Sequence, residues 1–91
     1  MKKYMMISKI FTVEEAAAFR EETFGLVSKG VVEFEIDFKE CEFMDSTGLG
    51  IMVGLLKKCK ENGSTIVLTN MNKDVYNIFE MTRLTHVFVI K

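Results

Sequence analysis

Glu33-Phe34-Glu35-Ile36-Asp37-Phe38, followed after four residues by Phe43-Met44-Asp45-Ser46-Thr47-Gly48-Leu49-Gly50, is the stretch on which the fold turns. From Val31 to Phe38 the residues alternate, with Val32, Phe34, Ile36 and Phe38 on one side and Glu33, Glu35 and Asp37 on the other. A period of two with one charged face predicts a strand covered on one side only, its carboxylates facing solvent. Such a strand need not lie in the centre of a sheet. Past Asp45 the period changes. Leu49, Met52, Val53, Leu56 and Cys59 recur at helical spacing, and Ile51 and Leu55 widen the stripe. The helix is expected to begin near Ser46, with Asp45 or Ser46 as its N-cap. Lys57, Lys58 and Lys60 sit where the helix dipole favours cations, and Asn62-Gly63 closes it.

Working outward, Tyr4 to Ile10 reads as a strand. Thr12-Val13-Glu14-Glu15 matches a capping box, and three alanines then favour a helix to about Ser28, with Gly25 weakening its last turns and Gly30 ending it. Thr65 to Thr69 is a short apolar strand. Asn70 or Asn72 is placed to cap a third helix bearing Val75, Ile78 and Phe79 and ending near Thr82. Val87 to Ile90 is a last strand. The order β-α-β-α-β-α-β implies parallel pairing with right-handed crossovers. The fold class is therefore α/β: a sheet of about four strands, mostly parallel, with helices packed mainly on one face. There is no proline and no linker-like stretch, so residues 1–91 read as a single domain.

Composition narrows the function. A net charge of -1 carries no nucleic-acid footprint. A local acidic bias runs through Glu33, Glu35, Asp37, Glu40, Glu42 and Asp45 against Lys39 alone, either as a solvated strand face or as a rim for a basic partner. Cys41 and Cys59 fit neither a zinc motif nor a disulfide framework and read as reduced core residues, in keeping with a cytoplasmic protein. The apolar run after Met1-Lys2-Lys3 stops at Lys9, too short for a signal peptide or a membrane span, so no membrane insertion is expected. The only histidine, His86, begins the last predicted strand. Ser46 lacks a Gly-x-Ser-x-Gly setting, and no phosphate-cradling Gly-Lys-Ser/Thr loop occurs. These absences argue against an enzyme and assign no cofactor and no metal.

What remains is the Met44–Gly50 segment. Free first-turn amides make a helix N-terminus receptive to phosphate. A hydroxyl there can carry a phosphoryl group, with about -1.5 to -2 of added charge, without disturbing its own helix. Asp-Ser-Thr-Gly can equally be no more than a cap on a tight turn. Gly48, Gly50 and Gly54 each cost helix stability, and their bare faces suit either close packing on the sheet or close approach of a partner.

Phe43-Met44-Asp45-Ser46-Thr47-Gly48-Leu49-Gly50 closely resembles the signature of STAS domains of anti-sigma-factor antagonists. The flanks agree: Phe34 to Phe38, Asn62-Gly63, Thr65 to Thr69, and Val75 to Leu84. The resemblance implies that Ser46 is phosphorylated by a kinase-type anti-sigma factor and that a PP2C-type phosphatase resets the cycle. It implies partner-contact or packing roles for Asp45, Thr47, Gly48, Gly50, Met52 and Gly54, and leaves a weak homodimer open. Three departures stand out. Little chain precedes Tyr4, so the domain is expected to be shortened at its N-terminus. The family's Gly-Glu-Leu-Asp loop is replaced by Ser8-Lys9-Ile10-Phe11. Thr-Gly-Leu reads Thr82-Arg83-Leu84, which puts an arginine where a glycine commonly closes a helix and gives it a positive φ if the family's left-handed turn is kept. The alternative is a STAS subunit that is never phosphorylated and serves as an assembly or regulatory module, for example on the ATPase of a lipid transporter.

Overall fold

The computed structural model describes residues 1–91. Four strands, β1 (Lys2–Met6), β3 (Glu33–Asp37), β5 (Thr65–Thr69) and β6 (Val89–Ile90), form one sheet in the order β1-β3-β5-β6. Every pairing is parallel. Two further strands, β2 (Ile10–Phe11) and β4 (Phe43–Met44), pair with each other outside it. The helices are α1 (Val13–Ser28), α2 (Ser46–Glu61) and α3 (Lys73–Met81), with a single 3-10 turn at Leu84–His86.

The strands are added in sequence order across the sheet, so successive right-handed crossovers place every helix on the same side. The register shows the result. On the covered face Phe34 and Ile66 pair, and Met5, Ile36 and Leu68 line up, all buried. On the other face lie Lys2, Glu33 and Thr65, then Tyr4, Glu35, Val67 and Val89, which no helix covers. The core fills with aromatic edges: Phe11 on Phe19, Phe38 on Phe79 and Phe79 on Phe88, with centroids 5.4, 5.9 and 5.7 Å apart.

Several expectations need correction. The predicted strand Tyr4 to Ile10 is two strands in two sheets, because Ser8 and Lys9 leave the β1 line and Ser8 Oγ donates to the Ile10 carbonyl. β3 takes an inner place, flanked by β1 and β5, a position its one-sided pattern left open. Its charged face survives at Glu33 and Glu35, but Asp37 is buried, its carboxylate taking hydrogen bonds from the Tyr4 hydroxyl, Asn70 Nδ2 at 3.1 Å and the Lys39 amide at 2.8 Å. Val32 precedes β3 and is exposed. The last strand is shorter than expected, since Leu84–His86 forms a turn and only Val89–Ile90 pairs. Along α2 the buried line is Gly48, Met52, Leu55 and Cys59, while Val53 points outward.

Candidate functional site

The surface that carries Ser46 lies beyond the C-terminal ends of β1 and β3, where open parallel sheets place their ligand-facing loops. It is built by two neighbouring segments. After β1 the chain turns into β2, and after β3 it returns through β4, with Ile10 opposite Phe43 and Phe11 opposite Met44. The Glu42 amide donates to the Lys9 carbonyl at 2.8 Å and closes this ladder. Asn72 Nδ2 donates to the Cys41 carbonyl at 3.0 Å, so the loop before β4 is also held by the start of α3.

From that frame α2 projects. Asp45 is its N-cap, with extended backbone at φ -99°, ψ -175°, and its Oδ1 accepts the Gly48 amide at 2.9 Å. Ser46 and Thr47 follow as the first two helical residues, and both are exposed. Their amides have no acceptor within the chain, as the first turn of a helix requires, since no preceding turn supplies carbonyls. The Ser46 hydroxyl thus stands at the positive end of a 16-residue helix beside two free N–H donors. Added negative charge there is favoured by the helix itself.

The three glycines have three different surroundings. A Cβ on Gly48 would overlap the Phe11 carbonyl oxygen and stand 2.8 Å from Phe11 Cδ2 and 3.1 Å from Met44 Cγ. Gly48 therefore lets the first turn of α2 press on the β2–β4 pair, which sets the position of Ser46. Gly50 is exposed and would meet nothing within 4 Å. Gly54 is half-buried, and a Cβ on it would come into ordinary contact with Phe24 Cζ at 3.9 Å. Met52 is fully buried in the core cluster. Gly48 and Met52 are buried, so of the contact and packing roles expected of these positions it is packing that their place in the fold fits. Asp45, Thr47 and Gly50 remain on the Ser46 surface.

The acidic bias also divides. Glu33 and Glu35 belong to the uncovered sheet face and Asp37 is inside, so only Glu40, Glu42 and Asp45 belong to the Ser46 end. Glu42 lies 3.9 Å from Lys9 in an exposed pair worth little. The apolar members of this surface were not legible in the sequence. Ile10 and Phe43, cross-strand partners, are 51% and 53% exposed, and Val13 is exposed at the start of α1. Their only signal is the strand-like alternation of Phe43 and Met44, too brief to place a side.

Cys41 and Cys59 are buried thiols, and burial pushes Cys59 up to about 11. His86 is exposed in the 3-10 turn. No three His, Cys, Asp or Glu side chains converge to hold a metal ion. No helix is long and apolar enough to cross a membrane.

Comparison with known proteins agrees with this architecture. The STAS domain family model matches residues 4–91. The anti-sigma-B factor antagonist of Listeria monocytogenes is 38% identical over 65 residues, 71% of this chain and 56% of the relative. Thus the chain spans little more than half the length of that protein. The anti-sigma-B factor antagonist of Bacillus subtilis is 33% identical over 78 residues, 86% of this chain and 71% of the relative. The structure of the Bacillus cell fate determinant SpoIIAA in its phosphorylated form superposes with a TM-score of 0.80 at 16% identity, covering 99% of this chain and 82% of that one, a likeness of fold.

Proposed function

We propose that this chain, which belongs to the STAS domain family, is a non-enzymatic cytoplasmic protein-binding switch of the anti-sigma-factor-antagonist kind. Its unphosphorylated Ser46 surface binds a kinase-type anti-sigma factor, and transfer of the ATP γ-phosphoryl group to Ser46 Oγ ends that binding. A PP2C-type phosphatase restores the hydroxyl by hydrolysis. The observation that carries this reading is the position of Ser46: an exposed hydroxyl on the first residue of α2, beside the free amides of Ser46 and Thr47.

The roles follow from the local chemistry. Asp45 is engaged as the cap and holds the helix start in place, so the phosphate does not have to organise the turn. Gly48 sets how far the turn stands from β2, Gly50 leaves open space on its side of the helix, and Thr47 is exposed beside Ser46. Ile10 and Phe43 add apolar area next to the polar centre. A phosphate dianion meets the helix dipole favourably, by about 0.3–1 kcal/mol. The same dianion enclosed by a docked partner must be desolvated or meet like charge, at a cost of several kcal/mol. The fold tolerates the modification and the interface does not.

Ser8-Lys9-Ile10-Phe11 favours a second reading in one respect. It puts Lys9 and an exposed Ile10, not acids, beside the site, which suits a permanent assembly contact on a transporter ATPase. Incubation with a co-encoded kinase and labelled ATP, followed by mass spectrometry, separates the two. A single phosphate on Ser46, absent in Ser46→Ala, supports the switch. No label, with Ser46→Asp binding the partner as tightly as the unmodified chain, supports the assembly module.

A further inference from the structure

We propose that the partner docked on Ser46 also reaches a cation cluster between α1 and α2, Arg20 and Lys58 on the Phe24 ring, and meets it with a carboxylate-bearing segment. Resting on the reading of Ser46 as a docking site, this assigns the partner a charge and an orientation. Phe24 extends from α1 toward α2, where its Cζ lies 3.9 Å from the place a Cβ on Gly54 would take. Two cations share this half-buried ring. The Arg20 guanidinium carbon, one turn earlier on α1, stands 4.4 Å from the ring centre. Lys58 Nζ, one turn beyond Gly54 on α2, stands 5.7 Å from it. The ring quadrupole attracts both.

Neither cation has a carboxylate of this chain within 4 Å, the ion pairs being Lys2–Glu35 and Lys9–Glu42. One turn from Arg20 stand Ala16, Ala17, Thr23 and Phe24, with no acid among them, and Glu61, one turn from Lys58, stays beyond that distance. Contact with a ring separates these two cations from the other surface lysines. A mobile side chain loses its freedom when it pairs, and that loss cancels most of what an exposed ion pair gains. Here the ring already limits the freedom, so less is lost on binding. A ring offers no lone pair, and the guanidinium fork remains available to a carboxylate.

The cluster is continuous with the Ser46 surface. Ser46, Gly50, Gly54 and Lys58 recur every four residues and follow one side of α2. At about 1.5 Å per residue, Lys58 lies about 18 Å along the axis from Ser46. An interface of about 800 Å² a side spans that distance. The surface then has two poles: Glu40, Glu42 and Asp45 at the Ser46 end, and Arg20 and Lys58 farther along the helices. A partner that matches both carries cations opposite the first and carboxylates opposite the second. Turned end for end, it would oppose like charges at both poles, so the pattern selects one orientation.

Isothermal titration of the co-encoded kinase-type partner into the unmodified chain and its variants tests this, with melts to confirm that each variant folds. Arg20→Glu combined with Lys58→Glu should weaken binding about tenfold or more at about 50 mM salt, and less at about 500 mM. Lys29→Glu combined with Lys60→Glu makes the same change in net charge away from the ring and should weaken binding less than about threefold. Phe24→Leu keeps both charges and removes the ring, and should cost about two- to fivefold. Carbodiimide coupling of the complex should join Lys58 to an Asp or Glu of the partner, mapped by mass spectrometry. Binding lost in the Arg20/Lys58 variant, yet equal with and without phosphate on Ser46, would uphold the cluster and remove the switch. Binding by that variant within twofold of the parent, alongside loss on phosphorylation, would overturn the cluster and leave the switch.

Discussion

Replacing Gly48 by alanine adds one methyl group at the third residue of α2, where it must overlap the Phe11 carbonyl oxygen and press on Phe11 Cδ2 at 2.8 Å. The backbone it meets cannot yield easily. Phe11 is paired with Met44 in the β2–β4 ladder, is 1% exposed, and packs edge-on against Phe19. Overpacking of this kind costs about 1–3 kcal/mol, with the upper part of that range expected when the obstacle is main chain. The better helix propensity of alanine returns at most about 1 kcal/mol. The net expectation is a loss of about 1–2 kcal/mol from a domain that holds roughly 5–15. Gly50→Ala is chemically the same change two residues on, where the new methyl meets nothing within 4 Å. It should stabilise by about 0.5–1 kcal/mol. Urea melts followed by circular dichroism should show midpoints moving in opposite directions, by an amount of order 1 M for Gly48→Ala at a slope of about 1 kcal/mol per M. The kinase-type partner should also bind Gly48→Ala more weakly, because Ser46 moves with the turn. A Gly48→Ala variant as stable as the parent would refute the close approach of α2 to β2 and with it the account of how Ser46 is placed.

Hydrogen bonds from the Tyr4 hydroxyl, then from Asn70 and the Lys39 amide, hold the Asp37 carboxyl below its ordinary value. A folded-state pKa below the unfolded one contributes stability that is full above about pH 4 and is lost as pH falls through the folded value. Asp37→Asn should therefore lower stability at neutral pH and flatten the acid limb of the stability curve, measured by urea melts across that range. Arg83 sits in the left-handed region at φ 63°, ψ 17°, which costs a residue with a Cβ about 1–2 kcal/mol. Arg83→Gly should raise the melting temperature by about 4–8 °C per kcal/mol relieved, read by calorimetry. Cys41 and Cys59 should resist thiol reagents in the native state and react only on unfolding, because both are buried and burial raises both thiols.

The elements legible in the sequence are those whose local signals and tertiary context agree. α1 ends at Ser28, β5 spans Thr65–Thr69, and Asn72 caps α3 by accepting the Val75 amide at 2.8 Å. Each has its own cap or bounded apolar run. β2 and β4 are two residues each and exist only because the segments after β1 and β3 run side by side. No local pattern encodes that. Asp37 reads as a third outward carboxylate by alternation, but it stands at the strand end, where Tyr4 and Asn70 of the neighbouring segments close over it. Asn70 itself adopts φ 59°, a conformation asparagine tolerates and the apolar pattern does not announce. The site was legible as a motif and a cap. Which of its glycines packs and which stays open required the position of Phe11, 37 residues before Gly48 and brought to it by the β2–β4 pairing.

One phosphoryl group on Ser46 is expected to change an interface without changing the fold. Isothermal titration of the kinase-type partner into the unmodified chain and into the chain phosphorylated on Ser46, with thermal melts of both, tests it directly. The expected result is melting temperatures that agree within a few degrees and an affinity lower by about a thousandfold, the equivalent of about 4 kcal/mol. Equal affinity of the two forms, or a loss of affinity accompanied by unfolding of α2, would contradict it.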